Sequence, residues 1–189
     1  MSLGDLSHQH CSVARSLLAV GDAWTLMIVR ELFLGSRRFD EFLAQTGISP
    51  HLLSVRLREL EAARIVERRA YQARPVRHEY RLTPKGVDLW DVITALREWG
   101  DRWHEWPEGP PVKVRHTACG HVAHAKAVCT ACGEPMAPRE VEVVFSKHAR
   151  EQRARASASR PPSGRRAASG SRRAGSAAGT GPRKSSRGR

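Results

Sequence analysis

Residues 49–82 read SPHLLSVRLRELEAARIVERRAYQARPVRHEYRL, and the period of their apolar positions changes once. In the first half Leu53, Leu57 and Leu60 recur at i, i+4 and i+7, the spacing that lines up side chains on one stripe of an α-helix. Ser49 followed by Pro50 is a helix start. The hydroxyl can accept an orphan N–H of the first turn, and proline has no N–H to leave unpaired there. The face away from the leucines carries His51, Ser54, Val55 and Arg58. From Val66 the period drops to two. Val66, Arg68 and Ala70 alternate with Glu67 and Arg69, and Val76, His78, Tyr80 and Leu82 alternate with Arg77, Glu79 and Arg81. The two runs flank residues 71–75, which predicts a β-hairpin with a basic tip.

Outward from this stretch the pattern is helical on both sides. Residues 39–45 make a short helix with Phe39, Phe42 and Leu43 inward, closed by a Thr46-Gly47 turn. Before it, AWTLMIVRELFL (residues 23–34) is apolar on nearly every side and predicts a central, buried helix. Asp22 is its N-cap and Gly35 its stop. Residues 11–20 place Val13, Leu17 and Leu18 at helical spacing. After the hairpin, Thr83-Pro84 opens another capped helix. It is expected to run to about Trp103 with Trp90, Ile93, Leu96, Trp99 and Trp103 on one stripe, before Pro107, Pro110 and Pro111 end the domain.

Helix, helix, short helix, turn, capped helix, hairpin, helix is the order of a winged helix-turn-helix, a mainly α domain with one small hairpin. A DNA major groove about 12 Å wide admits a single helix. Such a helix needs an apolar back and a polar front, and residues 50–64 have both. Arg74 at the hairpin tip and Arg77 beside it can reach phosphates or a neighbouring minor groove.

The blocks GDAWTLMIVRELFLG, RRFDEF, GISPHLLSVRLRELE, ERRAYQARPVRHEYRLTPKG and LREWG, in order over about residues 11–103, resemble the HxlR-type transcriptional regulators, relatives of the MarR group. The resemblance implies a winged-helix homodimer on inverted-repeat operators, with the first and last helices forming most of the dimer contact. It also implies a recognition helix whose candidate contacts are His51, Ser54, Val55 and Arg58, with Ser49 and Pro50 at its N-terminus. Arg56 belongs to the matching block too, as a DNA contact or as an ion pair within the domain. One departure is Ala63, where the family usually has glycine. A two-fold interface also accounts for four tryptophans at the domain's end, Trp90, Trp99, Trp103 and Trp106, the other reading being intrachain core.

Residues 108–146 hold three of the four cysteines. His116-Thr-Ala-Cys119-Gly120 and Cys129-Thr-Ala-Cys132-Gly133 repeat one device: two ligand types separated by two residues, then glycine for a turn of positive φ. The pair predicts a zinc-ribbon-like module with one structural zinc ion on Cys119, Cys129, Cys132 and a histidine. Symmetry favours His116 over His121 and His124. A dithiol couple at Cys129 and Cys132 is the alternative. Cys11, alone at the start of the first helix, is a candidate redox sensor, because a helix N-terminus favours the thiolate; some members of the resembled family sense oxidants with a cysteine near this position. The plain alternative is a small buried residue.

Of 189 residues, 32 are Lys or Arg and 19 Asp or Glu, a net charge of +13. The excess is concentrated in the tail: from Arg150 onward there are 12 basic residues and one acid, Glu151. The basic tail, residues 147–189, has almost no apolar bulk and is expected to be disordered, adding non-specific affinity for nucleic acid. No stretch approaches the ~18 apolar residues of a membrane span, and the N-terminus lacks the pattern of a signal peptide. These features point to a cytoplasmic, nucleoid-associated regulator and not to an enzyme, since no general base, nucleophile pair or phosphate loop is visible. A zinc enzyme on His121 and His124, and a nucleoid-type architectural protein dominated by the tail, are the competing readings.

Overall fold

The computed structural model describes Leu6 and residues 9–158. These fall into two compact units, one ending at Val143 and one beginning at Val144. In the first unit α1 (Ser12–Val20), α2 (Ala23–Leu34), α3 (Phe39–Thr46) and α4 (Pro50–Ala62) precede a hairpin of β1 (Val66–Ala73) and β2 (Val76–Leu82). Two helices, α5 (Pro84–Val87) and α6 (Trp90–Trp103), follow.

Local chemistry starts and stops these helices. The Asp22 carboxylate accepts from the N–H groups of Trp24 and Thr25 at 3.0 and 3.2 Å. Gly35, at φ 107°, ends α2 in a left-handed conformation that other residues adopt at a cost. The core is one cluster in which Ile28, Val29 and Leu32 of α2 meet Phe42 of α3, Leu53, Leu57 and Leu60 of α4, and Ile65 and Val66 entering β1. Helix α2 is central as expected, yet it is not buried all round: Leu34 is exposed and Leu26 and Phe33 are only partly covered.

Three expectations need correction. The closing helix is two helices, broken at Asp88 and Leu89. Gly86 is pressed so close to the Ile65 carbonyl that a Cβ would lie 2.1 Å from its oxygen, and the Leu89 N–H turns back to Gly86 O at 3.1 Å. The hairpin strands run further toward the tip than expected, leaving only Arg74 and Pro75 between them. An extra residue at Tyr71 shifts the register, so that Ala70 faces His78 while Gln72 faces Arg77. The third concerns the tail. Residues 147–158 form α7 (Lys147–Ala158), a helix with no buried residue. Ala, Arg, Glu and Gln are strong helix formers, and Ser146 Oγ accepts the Ala149 N–H at 3.2 Å. The rest of the expected disordered tail, 159–189, lies outside the described residues.

The stretch from Pro107 to Val143 belongs to the first unit. It has no named strand, only two single-residue bridges, Arg115 with Val122 and Val128 with Pro135.

Candidate nucleic-acid interface

Helix α4 has one sealed face and one open face. Ser49 Oγ accepts the Leu52 N–H at 3.3 Å, and Pro50 occupies the first turn. Leu53, Leu57 and Leu60 are sealed against the core, while His51 and Arg58 are exposed and Ser54 and Val55 half-exposed on the other side. Ser54 Oγ donates back to Pro50 O at 2.9 Å, and Arg58 Nε donates to Ser54 O at 3.2 Å. Arg58 makes no ion pair among the described residues.

Arg56 is engaged within the domain. Its Nη2 donates to Asp22 Oδ2 at 3.0 Å and its Nη1 to Glu59 Oε2 at 2.7 Å. The Glu59 hydrogen bond, and less strongly the Asp22 charge, outweigh burial and hold this guanidinium above its ordinary pKa. The ion pair foreseen as one possibility therefore ties α4 to the cap of α2.

At its other end α4 finishes without the family's glycine. Ala63 remains right-handed, and Arg64 takes the left-handed turn at φ 56°. Ile65 N–H reaches back to Leu60 O at 2.9 Å, and Lys85 Nζ donates to the Ala63 carbonyl at 2.8 Å.

In the wing, Arg69 pairs with Glu67 and Arg81 with Glu79. Arg74 and Arg77 are exposed and form no ion pair among the described residues. The base of the wing is braced by a contact the sequence pattern does not announce. The Arg38 backbone forms a single antiparallel β-bridge with that of Glu79, and the Tyr80 N–H donates to Arg37 O at 2.8 Å. Arg38 also lies over the Tyr71 ring, 4.6 Å from its centroid. At the start of α3, Glu41 accepts from the N–H groups of Arg37 and Arg38 at 2.7 and 3.0 Å. These bonds, against a small opposing effect of burial, lower the Glu41 pKa from its ordinary 4.5.

The cysteine-bearing stretch forms two pairs. His116 Nδ1 lies 3.4 Å from Cys119 Sγ, and the Cys129 thiol is paired with Cys132. The N–H groups of Ala131 and Cys132, followed by the Cys132 side chain, lower the Cys129 thiol pKa. No group of three or more His, Cys, Asp or Glu that could hold a metal ion occurs among the described residues. His124 is drawn elsewhere: its Nδ1 is 2.7 Å from Glu98 Oε2 on α6, and Glu98 Oε1 accepts the Ala125 N–H at 3.3 Å. Burial works to raise the Glu98 pKa; the bonds from His124 and Ala125 and the charge of Arg97 outweigh it and lower it. A separation of 26 residues left no signal of this link in the sequence. Cys11 is exposed at the N-cap of α1, so the buried alternative does not hold.

No helix among the described residues is long and apolar enough to cross a membrane. Residues 19–108 match the family model described as HxlR-like helix-turn-helix. Over 143 residues the chain is 46% identical to the uncharacterized HTH-type transcriptional regulator Rv3095 of Mycobacterium tuberculosis, a match spanning 75% of this chain and 90% of the relative. Two solved structures are similar. PA1607, a candidate transcription factor, superposes with a TM-score of 0.67 at 29% identity, covering 75% of this chain and 99% of its own. PA1374, another candidate transcription factor, from Pseudomonas aeruginosa, gives 0.52 at 33% identity with the same coverage.

Proposed function

The chain belongs to the HxlR-like helix-turn-helix family of transcriptional regulators, and from that premise we propose that it is a sequence-specific repressor acting as a homodimer on an inverted-repeat operator. The observation that carries this reading is α4, with its leucines sealed inside and His51, Ser54, Val55 and Arg58 outside. A helix of this kind enters the major groove, where an arginine such as Arg58 can donate to guanine O6 and N7. Ser49 and Pro50 begin the helix close to the backbone. Arg74 and Arg77, which form no ion pair among the described residues, supply phosphate or minor-groove contacts that fix register. Arg56 acts by holding α4 on α2.

The dimer reading rests on apolar surface. Trp99 and Trp103 of α6 are 61% and 68% exposed, and Val13 of α1 is 66% exposed. Between α2 and α6 runs an open cleft of about 460 Å³ lined by Leu26, Met27, Phe33, Leu34, Trp90 and Leu96. A second copy covering α1 and α6 removes this surface from water and matches palindromic DNA. Cys11, exposed at the start of α1, is the proposed sensor thiol; peroxide or quinone that modifies it without changing operator affinity rejects that role.

Selection of bound fragments from a genomic DNA library tests the main reading, using the full chain and a chain ending at residue 158. A shared palindromic motif supports it. No motif from either, with binding lost on truncation, makes the basic tail the DNA-binding element and the protein an architectural one.

A further inference from the structure

The extension after the winged domain poses a physical problem. No residue from 101 to 158 is buried, so residues 112–143 have no core of their own to offset the entropy of an ordered chain. They nevertheless form two loops built on one plan. In the first, the His116 N–H donates to His121 O at 2.9 Å and the Gly120 N–H returns to His116 O at 2.8 Å, beneath the Arg115–Val122 bridge. In the second, the Cys129 N–H donates to Glu134 O at 2.8 Å and the Gly133 N–H returns to Cys129 O at 2.8 Å, beneath the Val128–Pro135 bridge. Gly120 and Gly133 have φ of 76° and 78°. Every member of one loop corresponds to a member of the other thirteen residues on, which puts His116 at the station of Cys129 and Cys119 at that of Cys132.

The described residues hold the candidate ligands as two pairs and not as one cluster, and from their repeat we propose a structural zinc site in which one ion would draw the two loops together through His116 Nδ1 and the sulfurs of Cys119, Cys129 and Cys132. In a tetrahedral site with Zn–S near 2.3 Å and Zn–N near 2.0–2.1 Å, a nitrogen and a sulfur ligand stand about 3.6 Å apart. The His116 Nδ1 to Cys119 Sγ separation is 3.4 Å. Three thiolates and an imidazole suit zinc, and four protein ligands leave no open position, so the ion supplies folding energy and not catalysis. His124 falls outside the ligand set because the repeat gives it no ligand station: thirteen residues on stands Ala137, and its Nδ1 is held by Glu98. That bond instead fastens the first loop's far side to α6, the helix that carries Trp99 and Trp103, so the ion stiffens a module attached to the proposed dimer face.

The test uses the full chain, purified under reducing conditions without added metal, with zinc measured by elemental analysis. The ion is then exchanged for Co(II), whose absorption reports tetrahedral geometry and thiolate ligation. The expected result is about one zinc per chain and a tetrahedral Co(II) spectrum. Cys119→Ser and Cys132→Ser should abolish the spectrum, and His116→Ala should alter it and weaken binding by about tenfold or more. His121→Ala and His124→Ala should leave it unchanged. A metal-free protein whose Co(II) titration gives no tetrahedral bands overturns the site and leaves a dithiol pair. Loss of the spectrum in His124→Ala with retention in His116→Ala overturns the ligand set. None of these measurements involves DNA, so they stand or fall apart from the regulator reading.

Discussion

Replacing Asp22 by alanine removes two interactions at once, and the structure separates them. The carboxylate caps α2 by accepting from Trp24 and Thr25, and it also receives Arg56 from α4. Loss of an N-cap costs about 1 kcal/mol. The Arg56–Asp22 pair joins side chains that are 25% and 30% exposed, which puts its loss at about 0.5–1 kcal/mol after solvent screening. Asp22→Ala should therefore destabilise by about 1.5–2 kcal/mol, lowering Tm by roughly 5–8 °C for a unit of this size. Asp22→Asn keeps an oxygen for the cap and should lose only the charge, about 0.5–1 kcal/mol. Urea unfolding of Asp22→Asn, Arg56→Ala and the double variant should give a coupling of about 0.5 kcal/mol or more. Operator binding, measured where every variant is folded, should change less than about threefold for Arg56→Ala, against about tenfold or more for Arg58→Ala. If Asp22→Asn costs as much as Asp22→Ala, the cap is not the larger contribution. If Arg56→Ala loses operator affinity as Arg58→Ala does, Arg56 is a DNA contact and the intradomain role assigned to it is wrong.

Other expectations follow from the same geometry. Arg58→Ala should weaken operator binding by about 1–3 kcal/mol, while Arg74→Ala and Arg77→Ala should each lower affinity for all sequences alike and reduce the salt slope by about one; gel shifts across salt concentrations separate the two patterns. Trp99→Glu combined with Trp103→Glu should convert a dimer to a monomer in sedimentation, and a wild-type monomer at micromolar concentration rejects the interface. Arg64→Gly relieves a left-handed φ and should raise stability by about 1 kcal/mol in urea titration; a loss would show that the Arg64 side chain matters more than its backbone. Glu41 has a folded pKa below 4.5, so its ionised form stabilises at higher pH, and that contribution fades as pH falls below 4.5 toward the folded value. The stability gap between wild type and Glu41→Gln should shrink over that acid range, and a gap constant with pH would mean that the Arg37 and Arg38 bonds contribute nothing specific to the charged form.

The sequence by itself determined whatever depends on near neighbours along the chain. The caps at Asp22, Ser49 and Thr83 were readable because a side chain reaches N–H groups two or three residues on. The stripe of Leu53, Leu57 and Leu60 and the change to period two at Val66 were readable because helix and strand repeat differently, and together they fixed the winged domain and the exposed face of α4. Helix α7 also follows from local chemistry, its Ala, Arg, Glu and Gln content and the Ser146 cap, although it lacks the apolar bulk that marks a packed helix. Only the tertiary structure decided the rest. Arg56 meets Asp22 across 34 residues and Glu98 meets His124 across 26, and neither pairing leaves a periodic trace. The break before α6 follows from the approach of Gly86 to the Ile65 carbonyl, and the brace of the wing from Arg37 and Arg38 lying against β2. Hydrogen-bond reach and side-chain period are properties of a short segment. Which charges meet, and where two backbones press together, are set only when distant segments share one core.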